Sequence, residues 1–73
     1  MVLRRLDIKM VVYNLYLVLN DELVQIYDKN TEHVEYEGSS NDIPDRFMDR
    51  LVHYLTIVHI KDTKKYYQLI VLD

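Results

Sequence analysis

The sequence contains no cysteine and no alanine, and it has one glycine and one proline among 73 residues. The lack of cysteine excludes disulfide bonds, thiolate metal sites and cysteine nucleophiles, and it fits a reducing compartment. A single glycine also excludes the glycine-rich loops that cradle phosphate groups. These absences remove several enzyme classes before any motif is considered.

The scarce residue types are those with GC-rich codons, whereas the abundant Ile, Lys, Asn and Tyr have AT-rich codons. This usage predicts an origin in an AT-rich genome, such as that of a low-GC bacterium, a phage, a plasmid or a virus. The net charge of −3 and the pI near 5.5 disfavour a nonspecific nucleic-acid binder, because such proteins usually carry a basic face.

The length predicts one domain over residues 1–73, and a hydrophobic content of 49% is ample for a core. Arg4, Arg5 and Lys9 precede an apolar run, Met10 to Leu19, and so imitate a secretory signal. The small-residue cleavage site is missing, Asn14 interrupts the run, and about ten residues are too few to cross a bilayer. We therefore expect a soluble, cytoplasmic protein without a membrane segment.

The segment from Met10 to Asp28 is the most hydrophobic part of the chain, and it has the pattern of a β-hairpin. Asn20 and Asp21 tolerate the positive φ angles of a two-residue turn. A first strand over about Ile8 to Leu19 would then pair with a second strand ending at Asp28. This register predicts an inner face of four aliphatic side chains: Leu15, Leu17, Val24 and Ile26.

A second turn is expected at Lys29 to Thr31, with Asn30 as its left-handed residue, followed by a third strand. A three-residue loop would pair Ile26 with Val34 and Val24 with Tyr36. Residues 38–42 then form a polar loop that holds Gly38. Beyond this loop, Asp42, Pro44 and apolar residues at helical spacing predict a helix over about 43–52.

Alternating apolar residues predict a fourth strand over about 54–60, a polar turn at 61–64 and a last strand from Lys65 to Leu72. The expected fold is α+β, with the order β-β-β-α-β-β, a mainly antiparallel sheet and one helix packed on one face. Residues 1–7 have no clear period and form a candidate disordered lead-in. The same element order also fits an OB-like five-stranded barrel, which is the alternative fold.

No constellation in the sequence has the spacing of a catalytic or metal site. His53 and His59 do not match a ligand motif and would stand about 20 Å apart on one strand. The row Glu32, Glu35 and Glu37 resembles an ordinary solvated strand edge. We therefore expect no enzyme, no metal and no cofactor.

The seven tyrosines are the most unusual feature of the composition. Tyrosines on an outer face can anchor a protein interface, and they can also stack on bases. The candidate interaction face consists of seven residues: Tyr16, Val18, Leu23, Tyr27, Glu35, Glu37 and Tyr66.

Two functions follow as hypotheses. The first is a small non-catalytic protein-interaction module, with an accessory, regulatory or inhibitory role, that binds a protein partner and forms a homodimer. The alternative is an OB-like binder of single-stranded nucleic acid, which would use the outer tyrosines with Arg4, Arg5 and the lysines of residues 61–65. The acidic net charge favours the first hypothesis.

Overall fold

A computed structural model describes residues 10–73 of the chain. The predicted lead-in of residues 1–7 and the predicted start of the first strand at Ile8 lie outside the described residues. The elements, in chain order, are as follows: α1 (Val12–Val18), β1 (Leu23–Asp28), β2 (His33–Ser39), two 3₁₀ turns (Ser40–Asp42 and Asp45–Phe47), β3 (Val52–His59) and β4 (Tyr66–Leu72).

The four strands form one sheet in the order β2-β1-β4-β3. β1 pairs antiparallel with β2 and parallel with β4, and β4 pairs antiparallel with β3. The predicted α+β class, with one helix packed on one face of a sheet, is confirmed. The predicted element order is wrong, because the helix comes first and four strands follow it. The sheet is open, with β2 and β3 at opposite edges, so the barrel alternative is not supported.

The first correction concerns residues 12–18, which form α1 instead of a strand. Val12 and Leu15 lie one helical turn apart and are buried, whereas Leu17 and Val18 are 61% and 73% exposed. At the start of the helix, the Asn14 side chain accepts a hydrogen bond of 2.9 Å from the Val11 N–H. The helical period was hidden in the sequence because nearly every residue of this run is apolar.

The predicted hairpin turn at Asn20 and Asp21 is instead the connection between α1 and β1. Asp21 does adopt a positive φ angle, 51°, as the turn argument expected. Its carboxylate accepts a hydrogen bond of 2.6 Å from the Ser39 hydroxyl. These residues therefore fasten the entry to β1 against the end of β2, and no hairpin forms there.

The β1–β2 hairpin is present, but its register and turn differ from the prediction. The left-handed residue is Glu32, with φ of 59°, and not Asn30. Ile26 pairs with Tyr36, and a bulge follows in which Tyr27 pairs with Val34. Val34 is consequently 48% exposed on the opposite side of the sheet from the core.

Gly38, which was expected in a loop, lies within β2 opposite Val24. Its φ angle of 156° favours glycine. A Cβ atom at this position would lie 2.8 Å from the hydroxyl oxygen of Tyr36. The strand therefore has a glycine where the Tyr36 ring lies over the backbone.

The predicted helix over 43–52 is also wrong, since Asp45–Phe47 forms one 3₁₀ turn and an irregular segment follows. In a helix the Val52 N–H would bond to the Met48 carbonyl. Instead, Val52 N–H donates to the Met10 carbonyl at 2.8 Å, and the Met48 carbonyl accepts from Tyr13 N–H at 3.0 Å. The start of α1 thus occupies the backbone groups that a second helix would need.

The closing hairpin is confirmed, with β3 and β4 near their predicted limits of 54–60 and 65–72. Its turn follows Ile60, whose N–H donates to the Lys65 carbonyl at 2.9 Å, and Asp62 supplies a φ angle of 65°. The antiparallel hairpin is a local structure, and its two strands show clear sequence alternation.

The core lies between the sheet and a layer made by α1 and the segment after β2. Its members are Val12, Leu15, Val24, Ile26, Ile43, Phe47, Ile70 and Leu72. Asp28 is also buried on this side, where its carboxylate pairs with Arg50 at 3.0 Å. We call this side of the sheet the helix side. Among residues 10–73, no helix is long and apolar enough to cross a membrane.

Candidate functional site

The opposite side of the sheet is the candidate functional surface, and we call it the open face. Successive residues of a strand point to opposite sides, so the residues between the core positions of β1 and β4 project from it. The pairing sets Tyr27 beside Val71 and Gln25 beside Leu69. The full open face follows from the register: Leu23, Gln25, Tyr27, Val34, Glu37, Ser39, Tyr54, Thr56, Val58, Tyr67, Leu69 and Val71.

The centre of the open face is apolar and flanked by tyrosines. Val71 is only 3% exposed, although α1 and the core residues of the 43–47 segment pack on the other side. Its direct neighbours across the sheet are Tyr27 on β1 and Tyr54 on β3. Directly paired side chains lie about 5 Å apart, so these two tyrosines shield Val71 from both sides. Tyr54 itself is 51% exposed and accessible to another molecule.

The open face carries almost no charge. Glu37 is its one carboxylate, and this group accepts a hydrogen bond from the Gln25 amide. Neither lysine nor arginine lies at an open-face position. Lysines lie beyond the ends of the strands: Lys29 directly follows β1, and Lys61, Lys64 and Lys65 belong to the β3–β4 turn and the residue that follows it. The surface therefore combines apolar and phenolic groups with little to attract phosphate.

The structure brings together three of the seven residues predicted as an interaction face: Leu23, Tyr27 and Glu37. It separates the other four. Tyr16 and Val18 lie on α1, beyond the opposite side of the sheet. Tyr66 pairs with His59 and so faces the helix side. Glu35 lies at the β2 bulge, where its carboxylate accepts a hydrogen bond of 3.1 Å from the Thr31 hydroxyl.

The prediction missed the part of the open face that β3 and β4 contribute. Tyr67, Leu69 and Val71 could be assigned to one face of the last strand from their alternation alone. Their position beside Tyr27 could not be predicted, because it depends on the parallel pairing of β1 with β4. Tyr54 was missed for the same reason.

The titratable groups with shifted pKa values lie away from the open face. Hydrogen bonds from the Asn30 N–H and the Arg50 guanidinium lower the pKa of Asp28. Burial and the nearby Asp42 carboxylate raise the pKa of Tyr36, whose hydroxyl donates to the Ser39 carbonyl at 2.8 Å. Asp28 fastens the end of β1 to the segment before β3, and the Tyr36 hydrogen bond lies within β2. Within residues 10–73, no three His, Asp or Glu side chains are grouped closely enough to hold a metal ion.

The chain was also compared with known proteins. Neither a protein-family model, nor a curated protein, nor a solved structure matches it. The open face is therefore the main basis for a functional argument.

Proposed function

We propose that this chain is a small non-catalytic protein-interaction module that binds a protein partner through the open face. One observation carries the proposal: an apolar surface lined by Tyr27, Tyr54 and Tyr67 carries no lysine or arginine. Protein interfaces are enriched in tyrosine and depleted of charge at their centre. The open face has both properties.

The exposure of individual side chains supports this proposal. Tyr54 is 51% exposed, Val34 48% and Leu23 40%, and all three project from the same side of the sheet. The pairing sets Val34, Tyr27, Val71 and Tyr54 in one row across the four strands. An exposed row of apolar and aromatic side chains on a small domain commonly marks a binding surface. A rigid phenol such as Tyr54 loses little conformational entropy when it is buried by a partner, and it keeps a hydroxyl for hydrogen bonding.

The second hypothesis, a binder of single-stranded nucleic acid, has less support. Tyrosines can stack on bases, but such proteins combine stacking with a basic groove that follows the phosphates. The open face offers Glu37 and no basic side chain. Fluorescence anisotropy with labelled oligonucleotides at low and high salt tests this hypothesis, and a lack of binding at low salt would eliminate it.

Composition supports the remaining parts of the proposal. The AT-rich residue usage suggests an origin in a phage, plasmid or low-GC bacterium. We propose that the module has an accessory, regulatory or inhibitory role there. The lack of cysteine fits a role in the cytoplasm.

Site-specific photo-crosslinking in host cells tests the main proposal. A photoreactive phenylalanine analogue replaces Tyr54 on the open face, and the matched control carries it at Tyr13, which is 47% exposed on α1. We expect one specific adduct with a protein other than this chain from position 54 and none from position 13; an adduct with a second copy alone would not support the proposal. Equal labelling at the two positions would contradict the proposal.

Binding measurements with the purified partner complete the test. Tyr54→Lys should weaken binding about tenfold or more, because an aromatic anchor of an interface typically contributes about 2 kcal/mol or more. Tyr13→Lys should leave the affinity unchanged. A partner that binds both variants as well as the wild type does not use the open face.

A further inference from the structure

β3 is an edge strand whose outer side is mostly unpaired in the described part of the chain. The sheet order places it at the end, next to β4. Met10 and Val11 pair with the start of β3 only: Val52 N–H donates to the Met10 carbonyl at 2.8 Å, and Val11 bridges Leu51. From residue 53 to residue 59, no other segment of residues 10–73 pairs with this edge.

The outward-facing amides can be identified from the hairpin geometry. Ile60 N–H donates towards β4, to the Lys65 carbonyl. Hydrogen-bonding direction alternates along an antiparallel strand, so Thr56 and Val58 also direct their amides towards β4. The amides and carbonyls that point outward belong to Leu55, Ile57 and His59.

Within residues 10–73, this edge lacks the features that normally prevent strands from pairing between molecules. Charged residues, proline and bulges protect natural sheet edges. The β3 sequence has no Asp, Glu, Lys, Arg or Pro, and its irregularity is confined to the start, between Val52 and Tyr54. The opposite edge strand, β2, is protected by Glu35, Glu37 and a bulge. The two edges of the sheet therefore differ in their capacity to pair.

Side chains along the same edge are apolar and exposed. Leu55 is 39% exposed and Ile57 61% exposed, both on the helix side, and Tyr54 is 51% exposed on the open face. A strand that pairs with this edge would cover apolar surface on both sides of the sheet. Backbone pairing would thus be reinforced by side-chain burial.

The charges at the two ends of β3 are complementary. The end near Ile60 carries a net positive charge, because Lys61, Lys64 and Lys65 outnumber Asp62. At the other end, Asp73 N–H bonds to the Leu51 carbonyl at 3.0 Å. Among the described residues, Asp73 and the exposed Asp49 make this end net negative, since Arg50 is paired with Asp28 and one lysine, Lys29, lies 3.8 Å from Asp73.

We propose that a second copy of this chain pairs antiparallel with β3 along this edge, centred near Thr56. A twofold axis there would set Leu55 of one copy opposite Ile57 of the other. It would also place the basic end of each β3 beside the acidic end of its partner. The product is a continuous eight-stranded sheet with both open faces on one side. This dimer does not depend on the function proposed for the open face.

Sedimentation velocity on the full chain, from low-micromolar to sub-millimolar concentration, tests the assembly. We expect a reversible monomer–dimer equilibrium. Hydrogen exchange by NMR should show concentration-dependent protection at the amides of Leu55, Ile57 and His59. The amides of Thr56 and Val58, which bond to β4, should be protected at every concentration. A monomer throughout, or a dimer in which the three outward amides stay unprotected, would overturn the proposal.

Two substitutions at one position separate edge pairing from side-chain effects. Ile57→Pro removes an outward N–H that β4 does not use, and proline is compatible with an edge strand. The control Ile57→Thr keeps both the N–H and a β-branched side chain. We expect Ile57→Pro to be monomeric and Ile57→Thr to dimerise. If circular dichroism shows that Ile57→Pro is unfolded, Ile57→Lys replaces it, with the same expectation.

Two further experiments distinguish other occupants of the edge and other interfaces. A chain that begins at Met10 should dimerise like the full chain. Dimerisation of the shortened chain alone would show that residues 1–9 exclude a second copy, which contradicts the proposal. A dimer that is dissociated by Tyr54→Lys but survives Ile57→Pro would place the interface on the open face and would also refute edge pairing.

Discussion

Replacing Leu15 with alanine tests whether residues 12–18 form a helix on the sheet, as opposed to a strand within it. In α1, Leu15 is 4% exposed in the core and Leu17 is 61% exposed. A strand would place both leucines on one face, because they are two residues apart. The pair Leu15→Ala and Leu17→Ala therefore distinguishes the two structures at neighbouring positions with identical chemistry.

The structure predicts very different costs for the two substitutions. Leu15→Ala removes three buried carbon atoms, at about 0.8 kcal/mol each, and a cavity adds to this, for a total of roughly 3 kcal/mol. A chain of this length has a free energy of unfolding of about 4 to 11 kcal/mol. Leu17→Ala should change this free energy by less than about 0.5 kcal/mol, since the side chain is exposed and alanine favours helix.

Urea denaturation followed by circular dichroism measures both free energies of unfolding. We expect a Tm at least about 10 °C lower for Leu15→Ala, because 1 kcal/mol shifts the Tm of a domain of this size by roughly 4–8 °C. The Tm of Leu17→Ala should stay close to that of the wild type. A similar large loss from both substitutions would refute the helix and restore the strand.

Two further predictions concern the fastening of β1 and β2. Gly38→Ala should lower the free energy of unfolding, measured by urea denaturation, by roughly 1–3 kcal/mol. The φ angle of 156° disfavours alanine, and the new Cβ would lie 2.8 Å from the Tyr36 hydroxyl oxygen. In a Tyr36→Phe background the same substitution should cost less. The Asn30 N–H and Arg50 lower the folded-state pKa of Asp28. The Asp28 carboxylate therefore stabilises the fold at pH values above its unfolded pKa, about 3.9. This stabilisation is lost as the pH falls through the lower pKa of the folded state. The Arg50→Met variant should therefore be less stable than the wild type at neutral pH and should lose less stability on acidification. If its loss of stability with falling pH equals that of the wild type, the ion pair does not have this role.

Local patterns predicted the closing hairpin correctly, but the helical spacing after residue 43 predicted neither the secondary structure nor the buried set. Phe47 is buried in a 3₁₀ turn, whereas Leu51 and Leu55 are 41% and 39% exposed. The spacing could not indicate that α1 would use the backbone groups of Met48 and Arg50. That competition arises from residues about 35 positions earlier in the chain.

The open face was predicted in part, for a related reason. Leu23, Tyr27 and Glu37 belong to one hairpin, so alternation and a turn were enough to assign them to a common side. The β4 contribution requires the parallel β1–β4 pairing, which joins residues more than 40 positions apart. No single-strand pattern encodes that choice of neighbour.

The short helix explains why the sheet has exposed apolar positions even on the side that the helix covers. Seven residues make a helix about 10 Å long and, with side chains, about 10 Å wide, whereas four strands spaced about 4.8 Å apart form a wider sheet. The buried residues of α1 share one core cluster with residues of the central strands, β1 and β4, whereas Leu55 and Ile57 of β3 stay exposed on the same side. Within residues 10–73 no other element covers the β3 edge beyond Val52, and this edge lies apart from the centre of the open face. The β3 edge and the open face are therefore separate surfaces with separate tests.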